Sequence, residues 1–464
     1  MIGAIVETGR IGRGISIGAA TRRWPGLMKR ARGRRAVSNP CALSVVALAW
    51  LLSASAGLRA EDAPRGEAIA ATGMPGPYGE RLTIDDKGIT LRFPDDAATL
   101  RIGGRLHLDF GAAGIRQSGF DDPFSDNFAV RRSWIETSLS LGKDVGIGFQ
   151  YDFADPTTPI NDAVIVYRGV PDMLFSVGNQ REPFGLDQLA SNNSILFTER
   201  ALSDAFVPAR NVGFAVGRHG KDWSIVTGIF GGNANTGIGS EGIASTSRVT
   251  YAPIDDDKQT LHLGLAGSFR SLHRNENPLS LSSRSEAFLF TRSFVDTDDL
   301  RDAASIARIG AELAYRSGPL LVSAEFTRTD IGRFGAGQPL HFQGGYVQAS
   351  WVLNGDNRAY RMAPDFNGTS YAVFGGVKVA EAQRITRGGI GVFELGLRFS
   401  AIDLDDGEVR GGIEQDGTVG LSWYPDTNIR IIADYVRSHT SPSALRNGRT
   451  IDADTFIGRF QLYW

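Results

Sequence analysis

Residues 101–110 read RIGGRLHLDF, a stretch in which apolar and polar side chains alternate. Successive side chains of a β-strand point to opposite faces, so an extended stretch of this kind has one apolar and one polar face. The apolar face carries Ile102, Leu106, Leu108 and Phe110, and the polar face carries Arg101, Arg105, His107 and Asp109. A tilted strand needs about 9–11 residues to cross a bilayer. The stretch therefore predicts a membrane-spanning strand.

The same alternation returns along the chain in segments of similar length. It recurs in residues 145–153, 261–270, 393–400 and 429–435, and similar segments begin near residues 128, 161, 172, 211, 222, 246, 305, 319, 343, 416 and 454. An outer-membrane barrel has an even number of such strands, and about 16 are recognised here. We predict an all-β fold, a transmembrane antiparallel β-barrel over residues 100–464. A soluble β-sandwich or β-helix is the alternative, but neither needs so regular a segment length.

The connections between these segments differ in length. Short joins at residues 142–144, 316–319 and 424–427 are typical of periplasmic turns. Longer polar stretches lie near residues 112–127, 182–210, 271–304, 354–388 and 438–453. Outer-membrane barrels have short periplasmic turns and longer extracellular loops. We therefore expect all five long stretches to be external loops.

The N-terminal part of the chain has the pattern of an export signal. Residues 41–58 form an uncharged apolar run that follows the basic stretch 29–35 and ends in small residues, and this arrangement is typical of a secretory signal. We assign residues 1–60 to an N-terminal extension with signal peptide and residues 61–99 to a periplasmic leader. An N-terminal membrane anchor is the alternative. Cys41, the only cysteine, lies inside the apolar run, so disulfides and cysteine-based sites are not expected.

Charge and composition exclude several function classes. Residues beyond 60 hold 39 basic and 50 acidic side chains, which is not the balance of a nucleic-acid-binding protein. Only five of those basic residues are lysines, and the arginine fork of donors suits oxyanions. The six histidines are scattered without metal-ligand spacing, and no Ser/His/Asp constellation is visible. We predict no enzymatic activity, metal or cofactor, while an enzymatic or a structural, adhesive barrel remains the alternative.

Several stretches resemble the phosphate-selective porins O and P. They are residues 101–109, 130–132, 151–154, 177–186, 344–355, 393–400 and 419–424, in order along the chain from about residue 82 to residue 464. The resemblance implies a 16-stranded homotrimeric porin of the bacterial outer membrane, with one loop folded inward to form a constriction. It also implies a water-filled channel that prefers anions, for phosphate or other small anions.

The resemblance also nominates residues of the pore. Arg131 and Arg132 match an arginine pair of the family, Arg200 matches an arginine of the inward loop, and Asp162 resembles a pore-lining acid. Gln188 and Asn193 stand where the selective members carry lysines, so we expect weaker phosphate binding.

Alternation itself places further arginines on the polar face of the wall. Alternation or a position in the inward loop makes five arginines candidate anion-binding residues, namely Arg101, Arg105, Arg132, Arg200 and Arg398. A narrow passage lined by fixed positive charge raises the local anion concentration. The alternative is that these arginines pair with lumen acids and only keep the lumen rigid.

The end of the sequence predicts an assembly signal and its partners. Phe460, Leu462 and Trp464 alternate in the last segment and are expected to face lipid, where barrel-assembly machinery reads a terminal aromatic strand. The expected partners are therefore small anions, membrane lipid and lipopolysaccharide, the assembly machinery and two further copies of the chain, with no nucleic acid.

Overall fold

The computed structural model describes residues 74–75, 79–115, 127–236, 242–273, 278–289, 293–356, 358–366, 368–441 and 450–464. The predicted extension and signal peptide over residues 1–60, with Cys41, lie outside the described residues, as does the first part of the predicted leader. No helix of the described part is long and apolar enough to span a membrane.

Sixteen antiparallel strands form a closed barrel, as predicted. The strands are β1 (Ala98–Ile115), β2 (Asn127–Leu141), β3 (Val145–Asp152), β4 (Ile160–Tyr167), β5 (Met173–Arg181), β6 (Arg210–His219), β7 (Trp223–Phe230), β8 (Ala244–Asp255), β9 (Gln259–Ser271), β10 (Ala303–Ser317), β11 (Leu320–Arg333), β12 (Leu340–Val352), β13 (Val392–Asp406), β14 (Val409–Asp426), β15 (Ile429–Thr440) and β16 (Asp452–Tyr463). Each pairs with its neighbours in sequence, and β16 pairs with β1 to close the wall. Closure leaves no unpaired edge in contact with lipid.

The two faces of the strands are those that the alternation predicts. On β1, Leu108 is 38% exposed on the outside, whereas His107 and Asp109 are buried in the lumen. On β13, Leu397 is exposed on the outside and Ser400 is buried. Apolar side chains therefore cover the outer surface, as expected of a wall that faces lipid, and the polar groups face inward.

One long connection lies at the opposite end from the one predicted. Residues 353–391 join β12 to β13, at the end that carries the short connections 142–144, 220–222 and 427–428. The expectation that residues 354–388 form an external loop is therefore wrong. Length and polarity mark a connection, but the end at which it lies is fixed by the number of strands that precede it, and twelve strands bring the chain back to the end where β1 starts.

Three connections fold into the lumen. We call them loop A (residues 182–209), loop B (residues 272–302) and loop C (residues 353–391). Loop A contains the helical turn Leu186–Leu189 and the 3-10 turn Leu202–Phe206. Loop B pairs Ser282–Ser283 with Val295–Asp296, and loop C pairs Tyr360–Arg361 with Val373–Phe374 and contains the 3-10 turns Glu381–Gln383 and Ile385–Arg387. The predicted inward loop is thus joined by two more.

Apolar contacts hold each loop against the wall. Leu202 and Phe206 of loop A pack with Leu281 and Val295 of loop B against the inner faces of β10–β13. Loop C places Tyr371 in a second cluster on the inner faces of β4, β5, β7 and β8, and its Phe374 packs with Leu186 of loop A. Burial of apolar surface stabilises by roughly 25 cal/mol per Å². The three loops are therefore part of the folded core.

Glycines on the inner wall make room for loop A. A methyl group added at Gly310 would come within 2.9 Å of ring atoms of Phe184, and one added at Gly420 would come within 2.9 Å of the Phe197 ring. Contacts this close are repulsive, so only glycine lets the rings approach the strands. The phenylalanines of loop A therefore occupy notches in the wall.

A small hairpin precedes the barrel. Its strands Arg81–Asp85 and Gly88–Arg92 pair with each other, and the second pairs with the start of β1. Met74–Pro75 adds a short bridge to the first, and the 3-10 turn Pro94–Asp96 leads into β1. The turn at Asp86 and Lys87 consequently lies beside the lumen.

Candidate functional site

A chamber of about 510 Å³ lies in the lumen toward the end of the barrel that carries the short turns. Strands β1–β6 supply half of its lining residues, loop A supplies Leu189 and Ser191, and loop C supplies residues that include Asp365 and Phe366. Its charged lining consists of the basic residues Lys87, Arg101, Arg105, Arg181 and Arg210 and the acidic residues Asp86, Glu136, Asp162 and Asp365. The predicted pore residues Arg101, Arg105 and Asp162 thus meet in one place.

Two of these cations are neutralised by neighbouring carboxylates. Arg105 donates to Glu136 at 2.5 Å, and the Arg210 Nε donates to Asp162 at 2.7 Å. Arg101 differs, because no carboxylate of the described residues lies within ion-pair distance of its exposed guanidinium. The same holds for the Lys87 ammonium. These two groups are the cations of the chamber that are open to a solute.

The pKa of Asp365 in the chamber lining is shifted by its surroundings. Burial raises the pKa of this loop C residue, and nearby Asp162 adds to the effect, although Arg361 opposes it. A raised pKa means a carboxyl group that is more readily protonated.

Arg131 and Arg132 both point into the lumen because β2 contains a bulge. The register pairs His107 with Arg132 and Leu108 with Val130, so Arg131 is an extra residue without a partner on β1. A bulge of this kind redirects the side chains next to it. Simple alternation would instead send Arg131 and Arg132 to opposite faces.

The arginine pair binds Glu199 of loop A. Arg131 donates through Nε and Nη2 to the two carboxylate oxygens at 2.8 and 3.1 Å, and its guanidinium also lies 4.1 Å from the ring centroid of Phe288 in loop B. Arg132 lies 3.8 Å from the same carboxylate. Burial alone would raise the pKa of Glu199, but Arg131, Arg132 and Arg459 outweigh it and hold its pKa well below its usual range.

Arg200 turns back into its own loop. Its guanidinium donates to the carbonyl oxygens of Asp187, Gln188 and Ala190 and, at 2.7 Å, to Asn192 Oδ1. Arg181 donates to two of the same carbonyl oxygens, those of Gln188 and Ala190. The helical turn of loop A is therefore clamped by two guanidiniums at its C-terminal carbonyls, where cations are favourable.

Arg398 lies away from the chamber, in an ion pair with loop B. Its Nε donates to Glu286 Oε2 at 2.8 Å, and both side chains are almost completely buried. The Arg398 guanidinium also lies 4.5 Å from the ring centroid of Phe197. The structure thus places this predicted anion-binding residue at the contact between the wall and two loops.

Several charged residues of the lumen were not predicted from the sequence. Lys87 lies in the predicted leader, and Arg181 and Arg210 are the last residue of β5 and the first of β6. The two arginines flank loop A. This position could have predicted them, because the residues at both ends of an inward loop lie at the pore. Nothing in the sequence marks Asp365 or Glu286 as residues that enter the lumen.

The expected assembly residues lie along β16 and just after it. Phe460 and Trp464 are exposed on the outside and Leu462 is half-buried. The Trp464 backbone N–H donates to the Gly104 carbonyl at 3.0 Å, and the Gly104 N–H donates to the Trp464 carbonyl at the same distance. Trp464 therefore completes the seam between the first and last strands.

Comparisons with known proteins agree with this architecture. A profile of the family described as phosphate-selective porin O and P matches residues 100–464. An uncharacterized protein of Caulobacter vibrioides is 26% identical over 375 residues, covering 77% of this chain and 72% of that protein. Porin O of Pseudomonas aeruginosa is 22% identical over 427 residues, covering 82% of this chain and 92% of that protein.

Solved structures resemble the fold without close sequence similarity. The outer-membrane expressed OmpT of Vibrio cholerae matches with a TM-score of 0.50 at 9% identity, covering 80% of this chain and 100% of that one. At such low identity the likeness concerns the barrel architecture alone.

Proposed function

Because the chain belongs to the family of phosphate-selective porins O and P, an outer-membrane porin family, we propose that it forms a channel preferring phosphate or other small anions. The chamber lined by Arg101 and Lys87 is the observation that carries this proposal. Fixed positive charge in a narrow passage raises the local concentration of anions. A guanidinium without a carboxylate partner is free to replace part of an anion's hydration shell.

Arg101 is the main determinant of ion preference in this proposal. Arg105 and Arg210 contribute less, because Glu136 and Asp162 each neutralise one of them. Rapid passage also needs binding that is weak enough for release. One exposed guanidinium beside two neutralised ones meets that requirement.

The other predicted cations position the loops. Arg200 holds the helical turn of loop A, Arg131 and Arg132 hold Glu199, and Arg398 holds Glu286. Their charges are already compensated by carbonyl or carboxylate oxygens. We therefore expect Arg200, although it lies in the constriction loop, to act on selectivity through the loop's shape.

Phosphate binding is expected to be weak. The Gln188 carbonyl accepts from Arg181 and Arg200, and Asn193 Oδ1 lies 3.0 Å from His107 Nε2. Neither side chain supplies the cation that the selective members carry there. Phosphate should therefore permeate, and block chloride current only at high concentration.

The test is the reversal potential of the purified protein in planar bilayers with a potassium chloride gradient. The wild-type protein should prefer chloride, and Arg101→Glu should shift the reversal potential toward the potassium value. Arg410→Glu is the matched control, because Arg410 is exposed at the opposite end of the barrel. Equal reversal potentials for the wild-type and Arg101→Glu proteins would refute the assignment.

The same recordings separate a channel from an enzymatic or adhesive barrel. A porin gives stable conductance steps without substrate, whereas an enzymatic or adhesive barrel with a closed lumen gives none. We propose a channel without catalytic activity, since Arg101 and Lys87, the unpaired cations of the chamber, do not form a nucleophile and base pair.

We also propose that the barrel assembles as a homotrimer. β3, β4 and β7 have 8 residues each, fewer than the roughly 9–11 that a tilted strand needs to span a bilayer. A low wall leaves the lumen poorly shielded from lipid, so a neighbouring subunit is expected to cover it. Cross-linking in outer membranes should give a trimer band, and a monomer alone would contradict the proposal.

A further inference from the structure

Asp204 of loop A exposes its carboxylate to the lumen. It lies in the 3-10 turn Leu202–Phe206, in which Leu202 and Phe206 pack against the inner faces of β10–β13. The opposite side of this turn therefore faces the inside of the barrel. The Asp204 side chain is 38% exposed, compared with 18% for Glu199 and 10% for Arg200. Of these three charged groups of loop A, Asp204 is thus the most open to water in the lumen.

The charge of Asp204 is poorly compensated. No group of the described residues donates a hydrogen bond to its carboxylate, and the Nε of Arg200 lies 3.9 Å away, too far for a hydrogen bond. Arg200 instead donates to backbone carbonyl oxygens of its own loop. Glu199, by contrast, is bound by Arg131 and Arg459. Asp204 therefore presents more negative charge to the lumen than Glu199 does.

Elements packed against the turn do not neutralise this charge either. On β11, Glu325 accepts the backbone N–H groups of residues 186 and 187 at 2.8 and 2.7 Å, and on β12 the Tyr346 hydroxyl donates to Glu325 at 2.6 Å. On β13, Arg398 binds Glu286 of loop B. Arg398 is therefore occupied and cannot act as a cation for Asp204.

The surroundings of Asp204 also change the pH at which it ionises. Burial inside the barrel raises the pKa of its carboxyl group to about 6. Arg200 and Arg181 oppose this increase, whereas Asp187 and Glu199 add to it. A carboxyl group with such a pKa is mostly ionised at about pH 7.5 and mostly neutral at about pH 5.

We propose that Asp204 limits the anion preference of the channel and makes this preference depend on pH. The ionised carboxylate repels anions that pass loop A, and protonation removes the repulsion. The preference for anions should therefore increase as the pH falls and Asp204 takes up a proton. This inference rests on the proposed anion channel and adds a residue that regulates its selectivity.

The experiment measures the reversal potential of the full-length purified protein in planar bilayers with a potassium chloride gradient, from about pH 7.5 to about pH 5. The wild-type protein should become more selective for chloride on acidification, with a midpoint near the pKa of about 6. The permeability ratio of chloride to potassium should increase roughly twofold, which is the effect of one charge acting through water at about one Debye length.

The key variant is Asp204→Asn, which removes the ionisable group and keeps the shape of the side chain. At about pH 7.5 it should already have the permeability ratio that the wild-type protein reaches at about pH 5, and this ratio should change little with pH. Asp204→Glu keeps an acid and should retain the pH dependence. Asp172→Asn is the matched control, because Asp172 is exposed in the turn between β4 and β5.

The conductance step at high salt separates charge from loop position. At about 1 M salt the Debye length is about 3 Å, so the step reports the width of the pore rather than its charge. Asp204→Asn should leave this step unchanged. A changed step in this variant would mean that the substitution moves loop A, and would overturn the electrostatic role of Asp204.

Further outcomes distinguish Asp204 from other sources of pH dependence and from the proposed function. The pKa of Asp365 in the chamber is also raised, so a pH dependence that persists in Asp204→Asn and disappears in Asp365→Asn overturns the assignment. A wild-type protein that prefers chloride equally at both pH values overturns it too and leaves the anion channel intact. A wild-type preference for potassium at both pH values removes the proposed function and this inference together.

Discussion

Arg459 on β16 and Glu199 in loop A form a hydrogen-bonded ion pair, with Arg459 Nη2 donating to Glu199 Oε1 at 2.8 Å. The Arg459 side chain is completely buried and also binds Asp109 of β1 at 2.6 Å. Loop A is thus attached to the seam between β16 and β1, at which the barrel closes.

Replacement of Arg459 by methionine should destabilise the barrel strongly. It leaves Asp109 and Glu199 without their shared partner, and breaking a buried ion pair costs about 3–5 kcal/mol. Unfolding in denaturant, followed by loss of heat-modifiable gel mobility, measures the change. Arg410→Met, at an exposed position, should unfold like the wild-type protein.

Attachment of loop A should resist acid. An acid whose pKa is lower in the folded state contributes stability above its unfolded pKa and loses it only as pH falls through the lowered value. The pKa of Glu199 is held well below its ordinary 4.5. The size of the wild-type conductance step at high salt should therefore stay constant from neutral pH down to pH 4.5. Glu199→Gln should give larger or noisier steps even at neutral pH. A wild-type step that enlarges above pH 4.5 would contradict the assigned pKa direction.

Addition of one methyl group to the inner wall should displace loop A. In Gly420→Ala the added carbon clashes with Asp434 Oδ1 and lies 2.9 Å from the Phe197 ring. Asp434 accepts a hydrogen bond from the Thr198 N–H of loop A, so displacement of either group moves the loop. Overpacking of this kind costs about 1–3 kcal/mol. Gly417→Ala on the same strand is the control, since nothing lies within 4 Å of the added carbon. Single-channel recordings should show altered conductance for Gly420→Ala only.

A charged substitution should destabilise the barrel much more on the lipid-facing side of the wall than on the lumen side. Leu397→Arg places a cation in lipid and should cost about 2–4 kcal/mol near the bilayer midplane. Ser138→Arg adds the same group to the chamber lining and should cost much less. Equal losses of folded protein in lipid vesicles would invalidate the assignment of the faces.

Trp464 should be needed for efficient assembly. Its deletion removes both backbone hydrogen bonds to Gly104 and the aromatic group that we expect the barrel-assembly machinery to read. Trp351→Ala, at another exposed outer-wall position, is the control for loss of an interfacial tryptophan. The ratio of heat-modifiable to unfolded protein in outer membranes measures the effect, and normal insertion without Trp464 would count against the signal.

The strands of the wall could be predicted because the pattern that identifies each strand lies within that strand's own sequence. Each strand must have an apolar face for lipid and a polar face for the lumen, so alternation identifies the strands and sides of residues such as Leu397 and Arg105. The end at which loop C lies can also be predicted from the sequence, because twelve predicted strand starts precede it. The number of preceding strands is a better guide to the end of the barrel than the length and polarity of the connection.

The lumen was less predictable because its contacts join distant parts of the chain. Alternation correctly sends Arg398 and Ser400 inward, but it cannot reveal that Glu286 of loop B covers both. Likewise, a family match identifies Arg200 as a loop residue without showing that backbone carbonyls surround it. Which arginine is free depends on how three loops pack, and that depends on apolar clusters and glycine notches spread over the whole barrel.

The bulge at Arg131 has a consequence for how such channels diversify during evolution. In a regular strand, gain or loss of one codon exchanges lipid-facing and lumen-facing residues beyond that point, and selection removes the product. At a bulge the extra residue is accommodated where it occurs, and the rest of β2 keeps its register with β1. An insertion or deletion at this bulge can therefore add or remove a cation beside loop A.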